Sequence, residues 1–229
     1  MKTILKSTAL TAVPAAWRTI RNSIPMTQRL FILAFLMLTV NASFAAMVKL
    51  TSGSLDALKQ ESAVNVVYSY EGMRVGKFVN EKDYVDKKVA EFNQKEAGRG
   101  DRWRQAWVDD RASRFQPKFE ELLNKQFSGS KQSLQFGAHP DAKYTLILKT
   151  TFMEPGWDVG ISAHPALVSA TVLLVETKNQ TNTVATLTIT KAKGMGVWEG
   201  QNYDAGGRLQ ESYAKAGKEL GILIRKKIK

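Results

Sequence analysis

Cysteine is absent from all 229 residues. Disulfides are therefore excluded, along with a thiolate nucleophile and the lipidated cysteine that anchors bacterial lipoproteins. Histidine occurs only twice, at His139 and His164. Neither a Gly-x-Ser-x-Gly elbow nor a His-Glu-x-x-His motif is present, so two common hydrolase signatures are missing. The apolar run from Leu30 to Val40 falls short of the roughly 20 residues that a bilayer-spanning helix needs. Acidic residues are also missing from the first 45 positions, which hold Lys2, Lys6, Arg18, Arg21 and Arg29.

That last absence frames what is there. Arg29, the apolar run and then Ser43-Phe44-Ala45 have the order of a cleavable secretory signal, with small residues three and one before the cut. Cleavage near Ala45 is expected, giving 1–45 as leader and 46–229 as one domain. Met26 would begin a signal of ordinary length, so Met1 to Pro25 reads as a start assigned too early or as an extended basic n-region. The mature chain keeps 28 basic against 21 acidic residues, a net charge of +7. A chain of about 184 residues buries about 70% of its unfolded surface, enough core to do without disulfides. The expected compartment is the bacterial periplasm or exterior, since eukaryotic secreted domains more often use disulfides.

The residual positive charge is dispersed. Its densest run, Arg225-Lys226-Lys227 with Lys229, ends a helical segment, where cations complement the negative end of the helix dipole. Nucleic acid is not an expected partner, nor is stable membrane insertion once the signal is removed.

Met47–Leu50 and Ala63–Tyr70 read as strands, the second with Val64, Val66, Tyr68 and Tyr70 on one side. Asn80 followed by Asp83 marks a helix start, and Val85, Val89 and Phe92 give that helix its apolar face. Asp101 opens a longer helix striped by Trp103, Trp107, Phe115, Phe119, Leu122, Leu123 and Phe127, which Pro117 should kink or split. Lys143–Phe152, Leu167–Glu176 and Thr183–Lys191 are three further strands, the last two joined by a polar loop, Thr177–Asn182. The second of these is apolar on both faces, as a central strand would be. A closing helix spans Ala205–Ile228, capped by Asp204, with Ala216, Gly217 and Gly221 allowing close approach to a sheet. This order predicts an α+β two-layer sandwich, a mostly antiparallel sheet with helices packed on one face.

Each histidine sits in an Ala-His-Pro tripeptide before a strand. If those strands are antiparallel neighbours, ten residues of strand, about 33 Å, separate the imidazoles, so no shared metal site is expected. No cofactor is indicated. Asp109-Asp110 and Glu120-Glu121 diverge on helices and read as solvated surface. Gly194-Met195-Gly196-Val197-Trp198-Glu199-Gly200 lacks the strand–turn–helix setting and the Lys-Ser/Thr of a phosphate loop. Arg99-Gly100-Asp101 reads as a helix start, and Asn179-Gln180-Thr181 as a sequon that only a eukaryotic route would use.

The antiparallel trio would bring two long glycine-rich connections to one end, Met153 to Pro165 and Ala192 to Gly207. Both carry aromatics and exceed ordinary hairpin length, as binding loops do. The candidate binding residues are Trp157, Asp158, Trp198, Tyr203 and Arg208, with Arg208 offering an anion contact. Against this stands the reading in which Trp157 and Trp198 tuck back to close the core.

The strand lengths and order over Tyr144–Lys191, with the helix from Asp204, resemble the small α/β domain of bacterial envelope proteins. That group includes the periplasmic domain of the curli-secretion subunit, the lipoprotein activators of peptidoglycan synthases and the N-terminal domain of the Tol-system propeller protein. Tyr203-Asp204-Ala205-Gly206-Gly207-Arg208-Leu209 and Ser212-Tyr213-Ala214-Lys215-Ala216-Gly217-Lys218 are also similar in wording to secreted proteins of Bacteroidota. The resemblance implies a non-enzymatic role in binding an envelope protein or polymer. The alternative is a hydrolase of envelope polysaccharide whose carboxylate pair the sequence does not single out.

Overall fold

The computed structural model describes residues 47–129, 133–158, 162–194 and 204–229. The expected leader and cleavage site, together with Trp198 and Tyr203, lie outside these residues.

Three long strands build the centre. β5 (Tyr144–Glu154), β8 (Leu167–Glu176) and β9 (Asn179–Lys193) pair antiparallel in sequence order of contact, with Tyr144 opposite Glu176 and Leu167 opposite both Glu154 and Lys193. The anticipated trio therefore holds. Its turn is tighter than expected: β9 begins at Asn179 and pairs with Glu176, so Thr177 and Lys178 alone turn the hairpin. Polar residues 179–182 are part of β9, Asn179 pairing with Glu176 and Thr183 with Val175, so that the register shifts between these two pairs.

β1 (Val48–Gly53) adds antiparallel to β9 at one edge. On the other side β2 (Ala63–Ser69) lies parallel to β5, followed outward by β4 (Gln135–Gly137), parallel to β2. A two-residue strand, β3 (Arg74–Val75), continues alongside β5 opposite Phe152 and Met153. The architecture is α+β with a mixed sheet in the order β1-β9-β8-β5-β2-β4, antiparallel on one half and parallel on the other.

Asn80 caps α1 (Glu81–Lys95) as the sequence signals, its Oδ1 accepting from the Asp83 backbone N–H at 2.9 Å. Gly100 lets α2 (Arg99–Asp110) lie against α1, since a Cβ there would stand 2.2 Å from the Val89 carbonyl oxygen. The Arg-Gly-Asp tripeptide is thus a packing device. Pro117 disturbs the rod as expected, but the break lies upstream. Residues Arg111–Phe115 form a π turn, closed by the Gln116 N–H donating to the Arg111 carbonyl, before α3 (Gln116–Asn124) resumes. Proline has no N–H for the carbonyl four residues back, and a wider turn absorbs that loss.

Under the helices, Val64, Val66, Phe136, Leu146, Leu148, Val172, Leu174, Leu187 and Ile189 pack against Phe115, Phe119, Leu123, Tyr213 and Leu220. Phe115 stacks on Tyr213, ring centroids 5.0 Å apart at 7°, and the Tyr213 hydroxyl shares a buried 2.8 Å hydrogen bond with Thr150. Tyr68 donates to Glu120 Oε1 at 2.9 Å; burial, with the Glu120 charge, raises the phenol pKa far above its usual value. The opposite side of the sheet carries the row Val67, Ile147, Leu173 and Thr186, in register across four strands. These side chains are half-buried or exposed.

The last helix, α4 (Ala205–Ile228), corrects one expectation. Its glycines face a helix and not the sheet: a Cβ on Gly217 would meet the Phe119 carbonyl oxygen at 2.2 Å, and one on Gly221 the Leu123 carbonyl oxygen at 2.9 Å. Both clashes are with α3 backbone, which cannot rotate away. Gly217→Ala should therefore lower stability by about 1–3 kcal/mol through overpacking, measured by urea unfolding; an unchanged midpoint would disprove the close α3–α4 contact.

Candidate functional site

The end of the sheet where β5 and β9 leave and β8 begins gathers most of the candidate residues. Beyond Glu154 the chain turns through Pro155 and Gly156 into a second, two-stranded ribbon. In it β6 (Trp157–Asp158) pairs with β7 (Ala163–His164), Trp157 opposite His164. Gly156 has φ +63°, and a Cβ there would stand 2.3 Å from the His164 carbonyl oxygen. Only glycine accommodates both the left-handed backbone and that approach. Its N–H donates to Glu154 Oε1 at 3.2 Å.

Arg208, in the first turn of α4, reaches across to this ribbon. Its Nε donates to the Pro155 carbonyl and its Nη2 to the Gly156 carbonyl, each at 3.1 Å. The guanidinium expected to meet an anion is thus engaged in holding the β5–β8 connection. Below it, Ser212 Oγ donates to the Ala166 carbonyl at 2.9 Å and accepts from the Gly194 N–H at 3.2 Å. One serine thereby ties the start of β8 to the end of β9.

The first turn of α4 carries its own charge cluster. Asp204 caps the helix through the Gly207 N–H. Arg114 bridges Asp204 Oδ1 at 3.1 Å and Asp110 Oδ1 at 3.0 Å. Asp110 packs so closely that a Cβ on Gly206 would lie 2.0 Å from its Oδ2. Burial raises the Asp110 pKa, the Arg114 charge opposes the rise, and Asp204 and Asp109 add to it. Asp110 and Glu120 were expected as solvated surface; both are half-buried and partnered. Tyr84 of α1 also belongs to this end. Its phenol is pushed up to about 12, by burial first and then by Glu154, with Arg208 pulling the other way.

Of the five candidate binding residues, the structure describes three at this end. Trp157 is 47% exposed, so it does not close the core. Its ring lies parallel to that of His164 within 19°, centroids 6.5 Å apart. Asp158 is the second residue of the ribbon, paired with Ala163, and Arg208 is its clamp. Trp198 and Tyr203 fall outside the described residues. The two histidines stand at opposite ends of the sheet, His139 ahead of β5 and His164 ahead of β8.

Sequence reasoning missed Glu154, Ser212, Tyr84 and the Asp110–Arg114 pair. The i,i+4 spacing of Asp110 and Arg114 was a usable signal; Ser212 and Tyr84 act through contacts distant in sequence, and Glu154 accepts from an N–H two residues on, exposed by the turn at Gly156. No helix among the described residues is long and apolar enough to cross a membrane.

No protein-family model and no curated protein matches this chain. Among solved structures it is similar to a PelC dodecamer from Paraburkholderia phytofirmans, at 16% identity and a TM-score of 0.36, with 76% of this chain and 96% of that chain covered. A PelC variant dodecamer from the same organism matches at 13% identity and a TM-score of 0.32, covering 76% of this chain and 95% of the other.

If Arg208 orients the ribbon, Arg208→Ala should speed amide hydrogen exchange at Gly156, Trp157 and His164 by about tenfold or more, while the core of β8 stays protected. Unchanged exchange at these amides would show that the ribbon holds itself.

Proposed function

We propose that this chain is an exported, non-enzymatic binding or assembly protein of the bacterial envelope, and that it recognises its partner at the end of the sheet that carries Trp157. The observation behind this reading is the display of the indole. A large apolar side chain that is 47% exposed stands on a ribbon fixed by a left-handed glycine and by two hydrogen bonds from Arg208. Exposed apolar area in water is unfavourable, and aromatic side chains with few rotatable bonds supply much contact area at low entropic cost. The chemistry nearby supports binding over turnover. Glu154 accepts from the Gly156 N–H, Asp204 caps a helix, and Asp110 is paired with Arg114, so these three carboxylates have structural tasks. The resemblance to small domains of envelope proteins and the secretory signal read from Arg29 to Ala45 are consistent with the same compartment.

Replacing Trp157 with alanine separates this proposal from a core role. Immobilised Trp157→Ala protein should melt within a few degrees of wild type yet lose most capture of material from a solubilised envelope of the native host. Equal capture by both proteins would refute the recognition role, and loss of folding would return Trp157 to the core.

A further inference from the structure

Charge on the helices is answered in some places and left open in one. Lys82 pairs with Asp86, Arg114 with Asp110, Lys118 with Glu121 and Lys215 with Glu219. Around the C-terminal half of α4 the pattern changes. Lys218, Lys226, Lys227 and Lys229, with Lys125 just after α3, are exposed and have no ion-pair partner among the described residues. Arg225 joins them. Its Nη1 donates to the Gln126 carbonyl at 3.1 Å, which brings the ends of α3 and α4 together. Residues 220–229 contain no acid, and of the 21 acidic residues only Glu199 lies outside the described ones.

Helix dipoles account for part of this cluster only. A helix end is worth about half a negative charge, felt over its last turn, so the two ends together offset about one cation. Lys218 stands about three turns before the end of α4. With about 100° between successive residues, Lys218, Ile222, Lys226 and Lys229 fall within about 80° of one another. They lie opposite Tyr213, Leu220 and Ile224, which are buried. The basic face runs for about 17 Å along the helix, with half-buried Ile222 at its middle.

The form of this face selects among anionic partners. Proteins that follow a polyanionic chain do so in a charged groove, and single phosphates or carboxylates are gripped by planar arginine forks. Here the charges are mostly lysines on flexible stems, carried by the convex outer side of a helix. They fit a plane of anionic headgroups, which can move sideways to meet them. A cluster of about four to eight such cations on an amphipathic helix holds a protein at an anionic bilayer.

We infer that the C-terminal half of α4, together with Lys125, is a docking surface for an anionic membrane leaflet, on which the protein lies without entering it. Arg208, the clamp of the ribbon, is about 27 Å back along the same helix from Lys226. A docked molecule therefore keeps Trp157 available to the partner proposed above.

Vesicle flotation of the processed chain tests this. Wild-type protein should float with phosphatidylcholine vesicles that contain phosphatidylglycerol, and not with phosphatidylcholine alone. Flotation should be strong in about 0.1 M salt and lost in about 1 M, where screening acts within about 3 Å. The triple variant Lys218→Gln, Lys226→Gln, Lys229→Gln should bind about tenfold or more weakly with an unchanged melting temperature, since each lysine at the surface is worth about fivefold. A second triple, Lys49→Gln, Lys95→Gln, Lys149→Gln, removes the same charge from exposed lysines elsewhere and should stay within about twofold of wild type, distant charges being screened. Equal loss in the two triples would reduce the effect to net charge and overturn the assignment, as would flotation with phosphatidylcholine alone or none with phosphatidylglycerol. Polygalacturonate added at equal charge should leave the protein on the vesicles; its release would give the surface to an acidic polymer instead.

Discussion

β8 is hydrogen-bonded along both edges, to β5 on one side and β9 on the other, and both partners run opposite to it. That constraint fixes what can be a neighbour of what. Because Leu167 pairs with both Glu154 and Lys193, the exit of β5, the start of β8 and the exit of β9 share one end of the sheet. The same pairing sends His139 to the other end. A slip of one residue would turn Val168, Ala170, Val172 and Leu174, all buried, toward the half-buried face, so the apolar alternation of β8 holds the register.

α4 turns that alignment into a built surface. Its helical rise places Asp204, Arg208 and Ser212 four residues apart on one side, each contacting a different part of the sheet end. Asp204 meets Arg114 from the π turn, Arg208 meets the ribbon, and Ser212 meets the backbone just before β8 and just after β9. Farther along, Gly217 and Gly221 admit the backbone of α3, which keeps the helix pressed on the core while its first turn remains free to serve the ribbon. Packing at one end of α4 and polar contacts at the other are thus consequences of one helix laid along β8 and β9.

Local signals carried much of this into the sequence. The limits of β8 and the Asp204 and Asn80 caps were legible because alternation and capping act over a few residues. So was the shared sheet end at which β5 and β9 exit and β8 begins, which follows from three consecutive antiparallel strands. The parallel pairing of β2 with β5 was not, since it joins residues about 80 positions apart through no local motif. β4 is three residues long, too short to show a period. The bulged helix was traced to Pro117 but not to residues 111–115, because a π turn displaces the strain upstream. The glycines of α4 announced close approach without saying to what. At the site, the sheet end that carries Trp157 and Arg208 followed from strand order, while the role of Arg208 as a clamp depends on carbonyls more than 50 residues away.

The account turns on one indole being displayed to solvent while the others described are packed. Oxidative footprinting of the native mature chain, read by mass spectrometry at each tryptophan, measures this directly. Trp157, 47% exposed, should be modified many times faster than Trp107, which is 5% exposed. Protection of Trp157 equal to that of Trp107 would place the indole in the core and contradict the recognition surface built on it.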